Sequence, residues 1–238
     1  MTNSGRSPTS DAPRFVPVAD HALLVEFGEA IGEAEHAAVL RLDRALAAAP
    51  PVGLREVVPA YVALLVDFDP LASDHRAMTA AVTALLGAGA SEGSAAATHE
   101  IPVCYDGDLA PDLPEVAART GLSPEAVIAA HLSGDYDVRL YGFAPGYAYL
   151  AGVPEAIRLP RKPAALRGIP AGSLLIAGPQ CIVSTLTMPT GWWIVGRSPA
   201  AILTGDPARP FLFDVGDRVR FRRIDADAFA RLDRERGR

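Results

Sequence analysis

The stretch "LYGFAPGYAYLAGVPEAIRLPRKP", residues 140–163, sets the character of the second half of the chain. It places three glycines, four prolines and three tyrosines in one segment, and two adjacent cations, Arg161 and Lys162, lie near its end. Glycine adopts backbone conformations that other residues avoid, and proline fixes its own backbone, so this density predicts tight turns between short strands. The question is why the chain would build a turn-rich, aromatic and basic loop at this place.

Short strands bounded by glycine and proline surround this loop. The segments that predict them are "YDVRLYGF", "GSLLIAG", "CIVSTLT", "GWWIVGRS" and "FLFDVGDRVRFRRI". Several brief strands with this punctuation are typical of a closed or nearly closed β-barrel. A strand in "EIPVCYD" and helices in "DLPEVAARTG" and "SPEAVIAAHLSG" precede them, and Ser123 is the expected cap of the second helix. The segment "DADAFARLDRERGR" predicts one more short helix.

The first part of the chain has a different texture, with longer apolar runs and two helical patterns. "FVPVADHALLVEFG" predicts two strands joined by a turn, and "LREVVPAYVALLVDFDP" predicts two more around Pro59. "SDHRAMTAAVTALLGAGA" predicts a helix with Ser73 or Asp74 as its N-cap. The earlier helix, in "GEAEHAAVLRLDRALAAAP", is expected to present an apolar face formed by Ala37, Leu40, Leu42 and Leu46.

These two textures predict an α+β fold with two domains. Residues 1–13 are expected to form a disordered tail, and residues 14–86 a small N-terminal α+β domain. The run "GAGASEGSAAATHE" offers almost no packing atoms, so residues 87–98 are interpreted as a linker. Residues 99–238 are expected to form the β-barrel domain.

Composition narrows the class of protein. Half of the residues are hydrophobic and 21% are charged, as in a globular protein that can fill a core. A net charge of -6 argues against a general nucleic-acid binder, because neutralising phosphates requires a basic face. The sequence has no apolar run of about 18 residues and no signal-peptide pattern, so we expect a cytoplasmic protein without a membrane partner. Cys104 and Cys181 are expected to be small core residues, and no metal site is evident.

The candidate chemistry converges on residues 131–163, since the sequence contains neither a catalytic-triad motif nor a phosphate-binding loop. His131 ends the helix that leads into the loop, where the helix dipole would favour an imidazolium; that structural role competes with a catalytic one. Gly142 and Gly146 are expected to permit backbone conformations or close approaches that a side chain would block. Pro145 would restrain the turn between them.

Two interpretations of the loop remain open from spacing alone. Tyr147 and Tyr149 alternate with Ala148 and could share one face of an extended chain. In the first interpretation the loop is a tight turn at a barrel mouth, covered by aromatic rings. In the second it is a rigid rim whose backbone N–H groups meet a ligand, while Arg161 and Lys162 bring positive charge to a carboxylate or phosphate.

A series of motifs adds a resemblance to a known family. The segments "VPAYVALLVDFDP", "GFAPGYAYLAGVP", "RLPRKP", "IPAGSLLIAGPQ", "GWWIVGRSP" and "GDRVRF" stand in the order typical of one carboxyltransferase-domain family. That family includes the B subunit of bacterial ATP-dependent 5-oxoprolinase, allophanate hydrolase subunit 1, a sporulation-kinase inhibitor and half of the carboxyltransferase domain of urea carboxylase. The resemblance covers residues 15–224.

The resemblance implies a fold, partners and an activity. It implies a small α+β domain joined to a cyclophilin-like β-barrel, and a heteromer with a homologous larger subunit and a third subunit. The substrate would be a small amide or lactam, and ATP would be used by the complex to open 5-oxoproline to glutamate. Two alternatives follow from the same family: a carboxyltransferase-type component that acts on urea or a related amide, and a protein that inhibits a histidine kinase.

The resemblance also selects residues. Because amide resonance must be broken, the site must stabilise developing charge. The catalytic candidates are His131 and Arg161. The substrate-binding candidates are Gly142, Phe143, Pro145, Gly146, Tyr147, Tyr149, Lys162, Gln180, Gly191, Trp192 and Arg197.

Residues 180–193, "QCIVSTLTMPTGWW", depart from the family pattern. Relatives commonly carry Q-T-G-I-Y-P followed by S-P-G-G-W in this region. Gln180, Gly191 and Trp192 match that pattern, as does Pro189, whereas Thr190 replaces the first glycine of the G-G pair. The glycine and tyrosine of the first piece are also replaced, with Cys181, Val183 and Ser184 nearby. If this stretch shapes the substrate pocket, the departures predict an altered specificity or a loss of activity.

Overall fold

A computed structural model describes residues 12–88 and 96–236. The chain divides into two compact units, Met1–Ser94 and Ala95–Arg238. Most of the predicted tail and of the predicted linker lies outside the described residues. Among the described residues, no helix combines the length and the apolar character needed to cross a bilayer.

The first unit is a four-stranded antiparallel sheet with two helices, as its α+β pattern predicts. The strands stand in the order β1-β2-β4-β3. They are β1 (Arg14–Val18), β2 (Ala22–Glu26), β3 (Leu54–Pro59) and β4 (Ala63–Phe68), and the helices are α1 (Glu33–Ala48) and α2 (His75–Gly87). The side chain of Asp74 caps α2 by accepting a hydrogen bond from the Ala77 amide at 2.7 Å, which confirms one of the two predicted caps.

The buried face of α1 differs from the prediction. Leu42 and Leu46 are buried as expected, but Ala37 is exposed and Leu40 is only half-buried. Val39 takes their place, since it lies three residues before Leu42 and joins the core between the helices and the sheet. The helix is therefore rotated relative to the face inferred from the sequence.

The second unit is built around a closed seven-stranded barrel. Its strands follow the order β10-β7-β6-β13-β5-β12-β9, and β8 and β11 form a separate two-stranded sheet. The strands are β5 (Thr98–Cys104), β6 (Tyr136–Tyr141), β7 (Ala148–Ala151), β8 (Leu166–Ile169), β9 (Ser173–Ala177), β10 (Gln180–Val183), β11 (Met188–Thr190), β12 (Trp193–Arg197) and β13 (Arg218–Ile224). The helices are α3 (Leu113–Thr120), α4 (Pro124–Leu132) and α5 (Ala226–Arg236). The barrel and the α+β unit confirm the predicted fold class.

The last predicted strand is shorter than expected. Only its second half forms β13, because the chain turns at Gly216, which has a φ of +95°. Phe211 pairs with Leu203 in an isolated bridge, and Phe213 is buried in the barrel core.

The strand alternation of the barrel separates two apolar layers. Inward-facing residues such as Leu150, Ile176 and Val195 belong to the main core. A second cluster on the outer face combines residues of β9, β10 and β12 with Tyr147 and Trp192, which precede β7 and β12. Its strand residues are Leu175, Ala177, Ile182 and Ile194, and Tyr149 packs against it. This outer cluster carries most of the predicted aromatic site residues. Both cysteines are buried, as predicted.

Candidate functional site

The loop between β6 and β7 contains a sterically unusual turn. Phe143 has a φ of +71°, and the Ala144 amide donates to the Gly142 carbonyl at 2.9 Å, which closes a three-residue γ-turn. A bulky residue with a positive φ is an outlier that needs its surroundings to hold it. The ring of Phe143 is nevertheless 68% exposed. We name residues 142–147 the Phe143 loop.

Contacts to the barrel fix the Phe143 loop. The Thr185 hydroxyl donates to the Pro145 carbonyl at 2.7 Å. Gly146 has a φ of +70°, and a Cβ placed there would lie 2.7 Å from the side chain of Leu203. The prediction that glycine is required is therefore confirmed for Gly146.

Gly142 does not share that requirement. A Cβ placed at Gly142 would make ordinary contacts, the nearest at 3.5 Å to Leu140, and its φ is not positive. Its amide donates to the Tyr147 carbonyl at 3.2 Å, so this N–H is engaged within the loop. The prediction of a special backbone conformation and a ligand-facing N–H is wrong for Gly142.

Aromatic rings connect the loop to the start of β12 across the outer face of the barrel. The rings of Phe143 and Tyr147 meet edge to face at 5.5 Å, and those of Tyr149 and Trp192 at 5.9 Å. Tyr147 and Tyr149 lie on one face, as their alternation predicts. Burial raises the pKa of Tyr147, so its hydroxyl stays protonated at neutral pH.

Arg161 is an exposed cation placed on an aromatic ring. Its guanidinium carbon lies 5.5 Å from the centre of the Trp192 ring, within the range of a cation–π contact. Among residues 12–88 and 96–236, no carboxylate pairs with Arg161. The contact steadies the guanidinium and leaves its N–H donors available to a ligand.

Lys162, the next residue, has a different environment that corrects its predicted role. Its ammonium lies 2.5 Å from Oδ2 of Asp112, and both side chains are nearly buried. The same Asp112 oxygen accepts a hydrogen bond from the Ile194 amide at 2.6 Å. The Lys162 charge is thus neutralised inside the protein and does not face a ligand. No local pattern pointed to Asp112, because the two partners are 50 residues apart.

The Lys162 backbone attaches this segment to β12. The Lys162 amide donates to the Gly191 carbonyl at 2.7 Å, and the Trp193 indole donates to the Pro160 carbonyl at 2.8 Å. Gly191 therefore contributes a backbone acceptor, and its contact with a ligand stays a prediction. These bonds place Arg161 directly beside Trp192.

His131 lies in the core of the barrel, not in the loop region. Its Nδ1 shares a hydrogen bond with the Tyr105 hydroxyl at 2.9 Å, and its Nε2 lies 3.7 Å from the Cys181 sulfur. Complete burial lowers the pKa of His131 to about 3, so the imidazole is neutral and the expected imidazolium is wrong. The enclosed ring reaches no ligand, which corrects the catalytic role that the sequence suggested.

The remaining candidates, Gln180 and Arg197, lie at different ends of the barrel. Gln180 pairs with Ala151 at the far end of β7 from the Phe143 loop. Arg197 ends β12, where its Nε donates to the Ala171 carbonyl at 3.3 Å and its guanidinium packs on Phe229 of α5. Arg197 is therefore separated from Arg161, which adjoins the opposite end of the same strand.

The outer cluster therefore joins the Phe143 loop to Trp192 through Tyr147 and Tyr149, whereas His131 and Arg197 lie away from it. Strand β10 begins with Gln180 at the end of the barrel far from the Phe143 loop. Thr185, just beyond β10, contacts Pro145 at the end that carries the loop. We name Arg161, Trp192, Tyr149 and Gly191 the Arg161 group. Within the described parts of the chain, no three His, Cys, Asp or Glu side chains are arranged to hold a metal ion.

The residues of 180–193 that depart from the family pattern are internal. Cys181, Val183 and Ser184 are buried, and the Ser184 hydroxyl accepts a hydrogen bond from the Ser173 amide at 2.9 Å. The Thr190 hydroxyl accepts from the Trp192 amide at 3.1 Å. Thr190 therefore shapes the turn at Trp192, whereas Cys181 and Val183 pack in the inner core of the barrel.

Sequence comparisons give the relatives of this chain. The family described as carboxyltransferase domain, subdomain C and D, matches residues 13–213. The chain is 36% identical over 216 residues to the 5-oxoprolinase B subunit of Bacillus subtilis (strain 168), covering 86% of this chain and 90% of that protein. It is 44% identical over 124 residues to the 5-oxoprolinase B subunit of Escherichia coli O157:H7, covering 51% of this chain and 56% of that protein.

Solved structures show the same fold within longer chains. The crystal structure of TTHA0988 matches with a TM-score of 0.76 and 40% identity, covering 87% of this chain but only 40% of that one. Urea carboxylase of Kluyveromyces lactis matches with a TM-score of 0.70 and 16% identity, covering 94% of this chain and 23% of that one. The second likeness concerns the fold alone.

Proposed function

The chain belongs to the carboxyltransferase-domain family, subdomains C and D, and we propose that it is the B subunit of an ATP-dependent 5-oxoprolinase. The reaction would hydrolyse the lactam of 5-oxo-L-proline to L-glutamate. The observation that carries this proposal is the 36% identity to a 5-oxoprolinase B subunit over 90% of that protein. The likeness to urea carboxylase extends to the fold alone and supports no second activity.

In this proposal Arg161 recognises the substrate. 5-Oxoproline carries one carboxylate next to its lactam, and a guanidinium binds a carboxylate through two parallel hydrogen bonds. Arg161 offers such a fork, and its contact with Trp192 reduces the freedom that binding would have to remove. Lys162 cannot take this role, because Asp112 neutralises it.

Proton transfer and the use of ATP belong to the assembled complex. The sequence contains no phosphate-binding loop, and we assign no step on this chain to ATP. We propose that a homologous larger subunit and a third subunit complete the active site, and that the complex is cytoplasmic. The isolated chain is then inactive.

The direct test is ATP-dependent release of glutamate from 5-oxoproline, measured with all three subunits and with each omitted in turn. Loss of activity when this chain is left out supports the proposal. A correctly assembled complex that releases no glutamate would refute it.

The role of Arg161 is tested by Arg161→Ala. We expect KM for 5-oxoproline to rise about 10- to 100-fold, because a charge-assisted hydrogen-bond pair is lost. Arg167→Ala is the matched control, since Arg167 is an exposed arginine on β8 in the same unit. Equal KM values for the two variants would remove Arg161 from the substrate site.

A further inference from the structure

The Phe143 loop and the segment that is hydrogen-bonded to it through Thr185 are free of charged residues. Residues 140–154 and residues 180–196 contain no Asp, Glu, Lys, Arg or His. The hydrogen bond from Thr185 to Pro145 brings these two uncharged segments together. Depletion of charged residues together with enrichment in aromatic residues is the composition of the centre of a protein–protein interface.

Large apolar side chains on this surface face solvent. Phe143 is 68% exposed and Leu186, the neighbour of Thr185, is 41% exposed. Pro145 is also exposed. Three such side chains on two segments that are bonded together define what we name the Phe143 surface.

Phe143 faces solvent from a backbone conformation that phenylalanine rarely adopts. A φ of +71° is unfavourable for a residue with a Cβ, and glycine would adopt it freely. Thr185, and Leu203 against Gly146, hold the turn in place. Within this chain the ring contacts the edge of Tyr147, yet 68% of Phe143 stays exposed in a strained turn, which points to a further contact outside the chain.

We propose that the Phe143 surface is the docking site for the larger subunit, with Phe143 as the residue inserted into an apolar pocket of that subunit. This inference rests on the proposed function, which supplies the partner. A small polar lactam cannot cover three apolar side chains, whereas buried aromatic anchors are typical of protein partners. TTHA0988 supports this occupant, because this chain spans only 40% of a longer polypeptide to which it is 40% identical. The rest of TTHA0988 is joined covalently to a unit like this one.

The test compares stability with binding in Phe143→Gly. Glycine accepts the positive φ, so the isolated full chain should unfold at the same or a higher temperature than wild type. Loss of an anchoring ring should weaken binding of the larger subunit, measured with titration calorimetry, by about 30-fold or more. Leu186→Ser should weaken it less. Leu71→Ser, at a 96% exposed position in the first unit, is the matched control and should bind as wild type.

Three other results would overturn the docking proposal. If Phe143→Gly binds the larger subunit with wild-type affinity, Phe143 is not the anchor. If the unfolding temperature of this variant falls strongly, the ring has a structural role within the chain. Self-association of the wild-type chain that Phe143→Gly abolishes, with binding of the larger subunit unchanged, would assign the surface to a second copy. A wild-type chain that binds the larger subunit without turnover of 5-oxoproline would refute only the proposed function.

Discussion

The Arg161 group and the Phe143 loop are joined on one outer face of the barrel by Tyr147 and Tyr149, but they expose different kinds of side chain. In the Arg161 group, the exposed guanidinium of Arg161 packs against the buried ring of Trp192. The Phe143 loop exposes an aromatic ring on a segment without charged residues and is held by backbone hydrogen bonds. In our proposals the Arg161 group recognises a small anion and the Phe143 loop binds a protein.

The same contrast recurs between two neighbouring residues. Arg161 and Lys162 carry equal charge, but Lys162 forms a nearly buried ion pair with Asp112 while Arg161 is exposed. Position relative to the barrel, not residue type, therefore decides which cation is available for a ligand.

The largest effect is expected from Lys162→Met, compared with Arg161→Met. Removing Lys162 leaves the Asp112 carboxylate buried without its cation, so the free energy of unfolding should fall by about 3–5 kcal/mol. Arg161→Met should change it by less than about 0.5 kcal/mol, because Arg161 is exposed. Urea denaturation of both variants measures this difference. If the two variants have equal free energies of unfolding, Lys162 does not have the structural role that distinguishes it from Arg161.

A second comparison concerns the two glycines of the Phe143 loop. Gly146→Ala should lower the free energy of unfolding by about 2–3 kcal/mol, since the added Cβ would overlap Leu203 and oppose a φ of +70°. Gly142→Ala should cost less than about 0.5 kcal/mol, because its Cβ meets ordinary contacts only. Chemical denaturation distinguishes the two. A Gly142 variant as unstable as the Gly146 variant would contradict the geometry of the turn.

The smallest effect is a pH dependence from His131. Burial keeps its folded pKa at about 3, below the ordinary value of 6.5, so the unfolded chain binds the extra proton between these values. The contribution of neutral His131 to the free energy of unfolding is fully present above pH 6.5. Below pH 6.5 the free energy of unfolding should fall by about 1.4 kcal/mol per pH unit, or about 2 kcal/mol between pH 6.5 and 5. Thermal unfolding at several pH values measures this slope. His131→Gln should flatten it, and an unchanged slope in that variant would show that His131 is not its source.

Much of the fold was predictable because it depends on neighbours in sequence. Asp74 and Ser123 cap their helices through hydrogen bonds to amides three residues away. The four strands of the first unit follow from apolar alternation and from Pro59, which ends β3. The face of α1 was mispredicted because helical spacing allows adjacent faces, and only the sheet beneath selects Val39.

The site was less predictable, because its decisive contacts join distant segments. Gly146 requires glycine because of Leu203, and Lys162 is neutralised by Asp112. No local pattern indicates either contact.

The sequence by itself determined the strand-and-turn texture, the helix caps and the family, since these depend on local backbone preferences and on ordered motifs. Only the tertiary structure decided that His131 is enclosed and neutral, that Lys162 is paired internally and that Phe143 faces solvent. Burial and charge pairing are properties of position in three dimensions, and a closed barrel brings together residues whose separation along the chain gives no sign of their contact.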